Sequence, residues 1–167
     1  MPFTGFHDED FTVFEIPGFE ARMPALRARI TPKLKEAGLL LAPRMQEELG
    51  LPLYPRVAQH LRRTVNPPVE TWVAFSRSAR AYKPFVHFRL AINAEAVKFV
   101  CHVDDGADDL PTFQEGLKRN AKALARHLLA HPSVHCYNLR DAGGRPLGGR
   151  ALDGPAPASC AAARLGL

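Results

Sequence analysis

Asn66-Pro67-Pro68 is the tightest constraint on how this chain can fold. Neither a helix nor the interior of a sheet runs through two successive prolines, and the residue before them is biased away from the helical region. The chain has to turn there. Before the turn, residues 52–64 are ambiguous: Val57 and Leu61 fit a helix, whereas Arg56, Ala58, His60 and Arg62 alternate with Val57, Gln59, Leu61 and Arg63 as in a strand. After it, residues 71–77 read as a strand, so a hairpin-like pair around the prolines is the economical reading.

The alternation is clearer further on. Across residues 84–92, Val86, Phe88, Leu90 and Ile92 fall on one face and Phe85, His87, Arg89 and Ala91 on the other, which sets His87 and Arg89 side by side. Residues 96–103 repeat the pattern, Val97, Phe99, Cys101 and Val103 against Lys98, Val100 and His102. Nearer the N-terminus, residues 11–16 are rich in β-formers and predict a short strand closed by Pro17-Gly18. An amphipathic helix follows on Phe19, Met23, Leu26 and Ile30. Thr31-Pro32 restarts a second helix on Leu34, Leu41, Met45 and Leu49, ending at Gly50 and kinked at Pro43. Leu110, Phe113, Leu117, Ala121, Leu124 and Leu128 form one apolar stripe of a long helix stopped by Pro132, and residues 133–139 predict a last strand.

These elements predict one α+β domain over residues 1–140, with an antiparallel or mixed sheet of about five strands packed against amphipathic helices. A content of 46% hydrophobic and 23% charged residues suits one soluble domain with a substantial core. No apolar run reaches the ~18 residues of a membrane span, and the N-terminus lacks the basic and apolar regions of a secretory signal, so the expected location is cytoplasmic, with no membrane partner. Cys101, Cys136 and Cys160 have no spacing for a disulfide framework or a thiolate zinc site.

Charge is concentrated in one place. From His60 to Arg89 the chain carries Arg62, Arg63, Arg77, Arg80, Lys83 and Arg89 against Glu70 alone, an excess equal to the net +5 of all 167 residues. Arginine supplies planar bidentate donors, lysine a point charge and tyrosine a phenolic donor, the equipment for holding phosphate or carboxylate. The candidate ligand-binding residues are therefore His60, Arg62, Arg63, Arg80, Tyr82, Lys83 and His87, and the expected partner is a phosphorylated or other anionic small molecule. A second reading makes His60 or His87 a general base oriented by Glu70 or Glu20; a third uses the interleaved aromatic and basic residues to bind nucleic acid.

No cofactor is expected. His127 and His131 have the i, i+4 spacing of two zinc ligands, but Leu128 stands where a metalloprotease needs glutamate. Residues 144–151 nearly spell a phosphate-binding loop, yet Arg150 and Ala151 replace its lysine and hydroxyl residue and no strand leads into it.

The run VNPPVETWVAFSRSARAYK followed by His87-Phe88, and preceded by Ala58, His60 and Arg62-Arg63, resembles the YktB-like family of uncharacterised bacterial proteins. DFTVFEIPGFEARM and ITPKL are similar to that family's opening strand and helices, so the resemblance covers roughly residues 8–103 and, more faintly, the helix to His131. It implies a compact α/β protein and supplies no reaction. Family members look longer, with further elements where this chain turns to Gly, Pro and Ala.

Residues 141–167 offer few apolar anchors to offset an ordering cost of about 1–2 kcal/mol per residue. They are expected to form an irregular tail, and an apolar face left open on the long helix or the sheet would be covered in a homodimer. Limited proteolysis is expected to cut first after Arg140, Arg145 or Arg150; protection of all three sites would contradict this.

Overall fold

The period-two segments form the sheet. In a computed structural model, which describes residues 3–130, β1 (Tyr54–Val57), β2 (Glu70–Ser76), β3 (His87–Asn93) and β4 (Val97–His102) pair antiparallel in sequence order. The described sheet has four strands where about five were expected. The α+β class and the hairpin around the prolines stand, with Tyr54 opposite Ser76 and Val57 opposite Val73. The anticipated strand at 133–139 and the tail at 141–167 lie outside the described residues.

Residues 11–16 are not a strand. They close α1 (Asp8–Phe11) and continue as a 3-10 turn, Thr12–Glu15. Val13 and Phe14, neighbours in sequence, are both buried in the same core, whereas adjacent residues of a strand point to opposite faces. Asp10 anchors the turn. It is 2% exposed, accepts the His7 backbone N–H at 2.8 Å and pairs with Lys33 Nζ at 2.5 Å. Burial alone would raise its carboxyl pKa, but the hydrogen bonds from Lys33 and His7 outweigh it and hold the group below the usual range.

Pro17-Gly18 ends this segment, Gly18 at a φ of +77°. Three helical stretches then run without a gap: α2 (Phe19–Ala25), a π turn (Leu26–Ile30) and α3 (Thr31–Leu49). Thr31 does not restart a helix; its own φ and ψ of −57° and −43° are helical, and its N–H reaches back five residues to the Leu26 carbonyl. The cause is Pro32, which supplies no N–H and needs room against the preceding turn; widening that turn to π geometry provides it. α3 passes through Pro43 and ends at Gly50, whose φ of +65° forms the left-handed cap, its N–H bonded to the Gln46 carbonyl.

The helical layer packs on one face of the sheet, where Met23, Leu26, Ile30 and Leu34 meet Val73, Phe75 and Ile92. α3 comes closest at Gly38. A Cβ there would stand 3.0 Å from both Pro55 Cβ and Val73 Cγ2. The other face carries Trp72 and Ala74 of β2, His87, Arg89 and Ala91 of β3, and Lys98, Val100 and His102 of β4. Below it, the 77–86 connection is pinned to the turn after β4: Val86 N–H donates to Asp109 Oδ1 at 2.8 Å and Asp108 N–H to the Pro84 carbonyl at 2.7 Å.

The chain divides into Met1–Leu110, which contains these elements, and Pro111–Leu167. The described part of the second unit is helical, within α4 (Leu110–Ala130), as the apolar stripe required. Among the described residues no helix is long and apolar enough to cross a membrane.

Gly38→Val tests the close approach of α3. Added bulk in a packed core costs about 1–3 kcal/mol, more than the better helix propensity of valine returns, so the urea midpoint should fall. An unchanged midpoint would mean that α3 is free to move off the sheet.

Candidate functional site

Arg89 is the centre of the second face. β3 alternates, so Phe88, Leu90 and Ile92 turn to the helices while His87, Arg89 and Ala91 turn the other way. The Arg89 guanidinium lies over the Trp72 ring, 4.5 Å from its centroid, and 5.9 Å from that of Tyr82. Its Nε–H donates to His87 Nε2 at 2.9 Å. Among the described residues no carboxylate comes within ion-pairing distance of it.

This geometry fixes His87. A guanidinium only donates, so His87 Nε2 must present its lone pair, and Nδ1–H donates to the Phe85 carbonyl at 2.7 Å. His87 is therefore neutral, and its single acceptor is occupied. At 1% exposure, burial pushes its pKa down to about 4, helped by the neighbouring Arg89 charge and opposed by the Phe85 hydrogen bond. Burial likewise lowers Arg89, with Asp104, Tyr82 and Glu70 acting the other way; it stays a cation.

Two further histidines border the arginine. His102, directly opposite His87 in the β3–β4 register, has its ring 5.2 Å away and Nε2 3.1 Å from Asp104 Oδ1. Burial, then the Arg89 charge, lowers its pKa, while Asp104 pulls the other way. His60 stands edge-on to Trp72 with 5.3 Å between centroids, and its Nε2 is 3.0 Å from Thr71 Oγ1. Its φ of +52° is in the left-handed region that few non-glycine residues adopt, three residues beyond the end of β1. Burial, then Arg63, lowers its pKa. Trp72 adds a donor in need of a partner, since its Nε1 is buried with no hydrogen bond.

Of the seven candidates from the sequence, His60, Tyr82 and His87 come together around Trp72 and Arg89; Tyr82 lies 5.0 Å from His87 between ring centroids. The other four do not join them. Arg62 and Arg63 are exposed on the 58–69 connection, at the Glu70 end of β2; Arg80 and Lys83 are exposed on the 77–86 connection, at the Ser76 end. A seven-residue strand separates its ends by about 20 Å, so the two pairs cannot close on one small ligand. Glu20 belongs to α2, in the helical layer on the other face, and Glu70 is 3.8 Å from Lys98, so neither orients a histidine here.

Arg89, Trp72, His102 and Asp104 were missed as site residues. The signal for Arg89 was present in its alternation with His87, whereas pairing with His102 required the register. Among the described residues no group of three His, Cys, Asp or Glu could hold a metal ion; His131 lies outside them.

Fold and site thus describe an α+β protein with an arginine in no ion-pair contact among the described residues, His87 and His102 beside it on one sheet face and His60 at the border by Trp72, the pKa of each histidine lowered. The chain belongs to the family defined by a domain of unknown function, DUF1054, whose model matches residues 6–137. It is 37% identical to a UPF0637 protein of Staphylococcus aureus strain MSSA476 over 119 residues, 71% of this chain and 58% of the relative. It is also 37% identical to a UPF0637 protein of Lysinibacillus sphaericus strain C3-41 over 134 residues, 80% of this chain and 58% of the relative. The YktB-like resemblance is to this same family. The matched part spans little more than half the length of these relatives.

His87 makes stability depend on pH. Its folded pKa of about 4 lies below the ordinary 6.5, so the unfolded chain binds the extra proton between those values. Its contribution is complete above pH 6.5 and lost as pH falls toward 4, by up to ~3 kcal/mol at 1.36 kcal/mol per unit. The lowered His60 and His102 add in the same direction. The melting temperature should fall across this window and the fall should be smaller in His87→Gln; an equal slope in the variant would count against the assignment.

Proposed function

We propose that this face binds a small anionic ligand, phosphorylated or carboxylate-bearing, with Arg89 as the receiving cation. The observation that carries the reading is a half-buried guanidinium held by an aromatic ring and a neutral histidine, with no carboxylate in ion-pair contact among the described residues; Asp104 and Glu70 act on it only from a distance. A buried charge is costly unless paired, and among the described residues no hydrogen bond occupies its two terminal nitrogens. Tyr82 offers a phenolic donor beside it. Exposed Arg62, Arg63, Arg80 and Lys83 then act at long range, raising the local anion concentration.

The general-base reading is weaker for His87, whose acceptor nitrogen is already bonded to Arg89. Nucleic-acid binding is weaker too. Trp72 and Phe85, the rings on which a base could stack, already carry Arg89 and Arg77.

Inorganic phosphate and citrate should raise the melting temperature beyond chloride at equal ionic strength. Arg89→Met, which keeps an aliphatic stem on Trp72, should lose ~10–100-fold in affinity, the worth of charged hydrogen bonds of about 1.5–3 kcal/mol. Absence of stabilisation by any anion, or full binding by the variant, would overturn the reading.

A further inference from the structure

The anion reading leaves His102 without a role, and its surroundings supply one. On antiparallel strands, side chains offset diagonally on one face lie roughly 7–8 Å apart at Cα, and Arg89 and His102 are such a pair, flanking His87. Asp104 holds His102 through Nε2, and His102 Nδ1 has no hydrogen-bond partner among the described residues. Around this ring stand Arg89 and His87 of β3, Asp104 beyond β4, and Glu70 of β2, itself close to Lys98 of β4.

We propose that His102 is the second cationic arm of the site: when a tetrahedral dianion, a phosphate monoester or its inorganic equivalent, settles on Arg89, His102 Nδ1 takes one proton from the solvent and donates it to the ligand in a hydrogen bond. The inference rests on the Arg89 reading. In the empty site burial, and then the Arg89 charge, disfavour a second positive charge, and with Nε2–H turned to Asp104 the neutral ring offers only a lone pair at Nδ1. A dianion reverses the balance: it offsets Arg89 and leaves charge to attract an imidazolium, whereas a monoanionic carboxylate is spent on Arg89 alone. His87 cannot share this task, since both its ring nitrogens are bonded. Asp104 keeps the ring turned and stabilises its charged form.

Sulfate is the suitable probe, being a dianion throughout the working range, so any proton linkage belongs to the protein. Titration calorimetry of the full chain with sulfate, at constant ionic strength from pH 8 to 6, should show affinity rising toward tenfold per pH unit, the limit for uptake of one proton. The measured heat should differ between buffers of different ionisation enthalpy. His102→Gln should bind with a flat pH response, and His7→Gln, at the exposed start of α1 and outside this face, should keep the wild-type slope. Circular dichroism confirms that each variant is folded; if His102→Gln is not, the slope and buffer dependence of the wild type decide. A pH-independent wild-type affinity, or an undiminished slope in His102→Gln, defeats the inference and leaves the Arg89 reading intact. No sulfate binding, or equal binding by Arg89→Met, defeats both.

Discussion

The hydrogen bond from Arg89 to His87 sets the character of the whole second face. A guanidinium on a sheet must either reach water or find an acceptor, and here it finds a neutral imidazole rather than a carboxylate. The choice has consequences on both sides. His87 is locked as one tautomer, with its other nitrogen tied to the Phe85 carbonyl, and Arg89 is held across Trp72 with Asp104 and Glu70 acting on it only from a distance. A carboxylate in place of His87 would make a stronger pair and leave nothing for an external anion.

The helical face makes that arrangement affordable. It is apolar from Val13 to Ile92, and Gly38 lets α3 lie against Pro55 and Val73 without a side chain between them. Burial there supplies the hydrophobic stabilisation, at roughly 25 cal/mol per Å² of apolar surface. The polar face adds His87, which its two hydrogen bonds keep neutral, and an indole N–H without a partner among the described residues. Asp109 then holds the 77–86 connection in place, so that Tyr82 reaches the arginine rather than swinging into solvent.

What the sequence showed depended on how local the cause was. β3 and β4 were legible because alternation is a property of the segment itself, and α4 because its stripe repeats for five turns. Residues 11–16 misled, since Phe11, Val13 and Phe14 are β-formers whose helical turns are selected by burial and by Asp10 bonding to Lys33 of α3, 23 residues away. The run 52–64 kept its pattern beyond Val57, but the strand ends there and His60 takes a left-handed backbone that composition does not announce. The basic stretch was legible as charge and not as geometry. Chain order puts Arg62 and Arg63 before β2 and Arg80 and Lys83 after it, so the length of the strand keeps the two pairs apart.

The part of this chain that matches its relatives, 58% of their length, contains the whole of this face. Every residue of the face, from His60 to Asp104, lies inside the 6–137 segment that the family model matches. Its hydrogen bonds close within that segment: His60 to Thr71, Arg89 to His87, His87 to Phe85, His102 to Asp104. The strands that position them, β1 to β4, pair with one another in sequence order within it. The arrangement of Arg89, Trp72 and the histidines is thus built by local pairings in the first 110 residues.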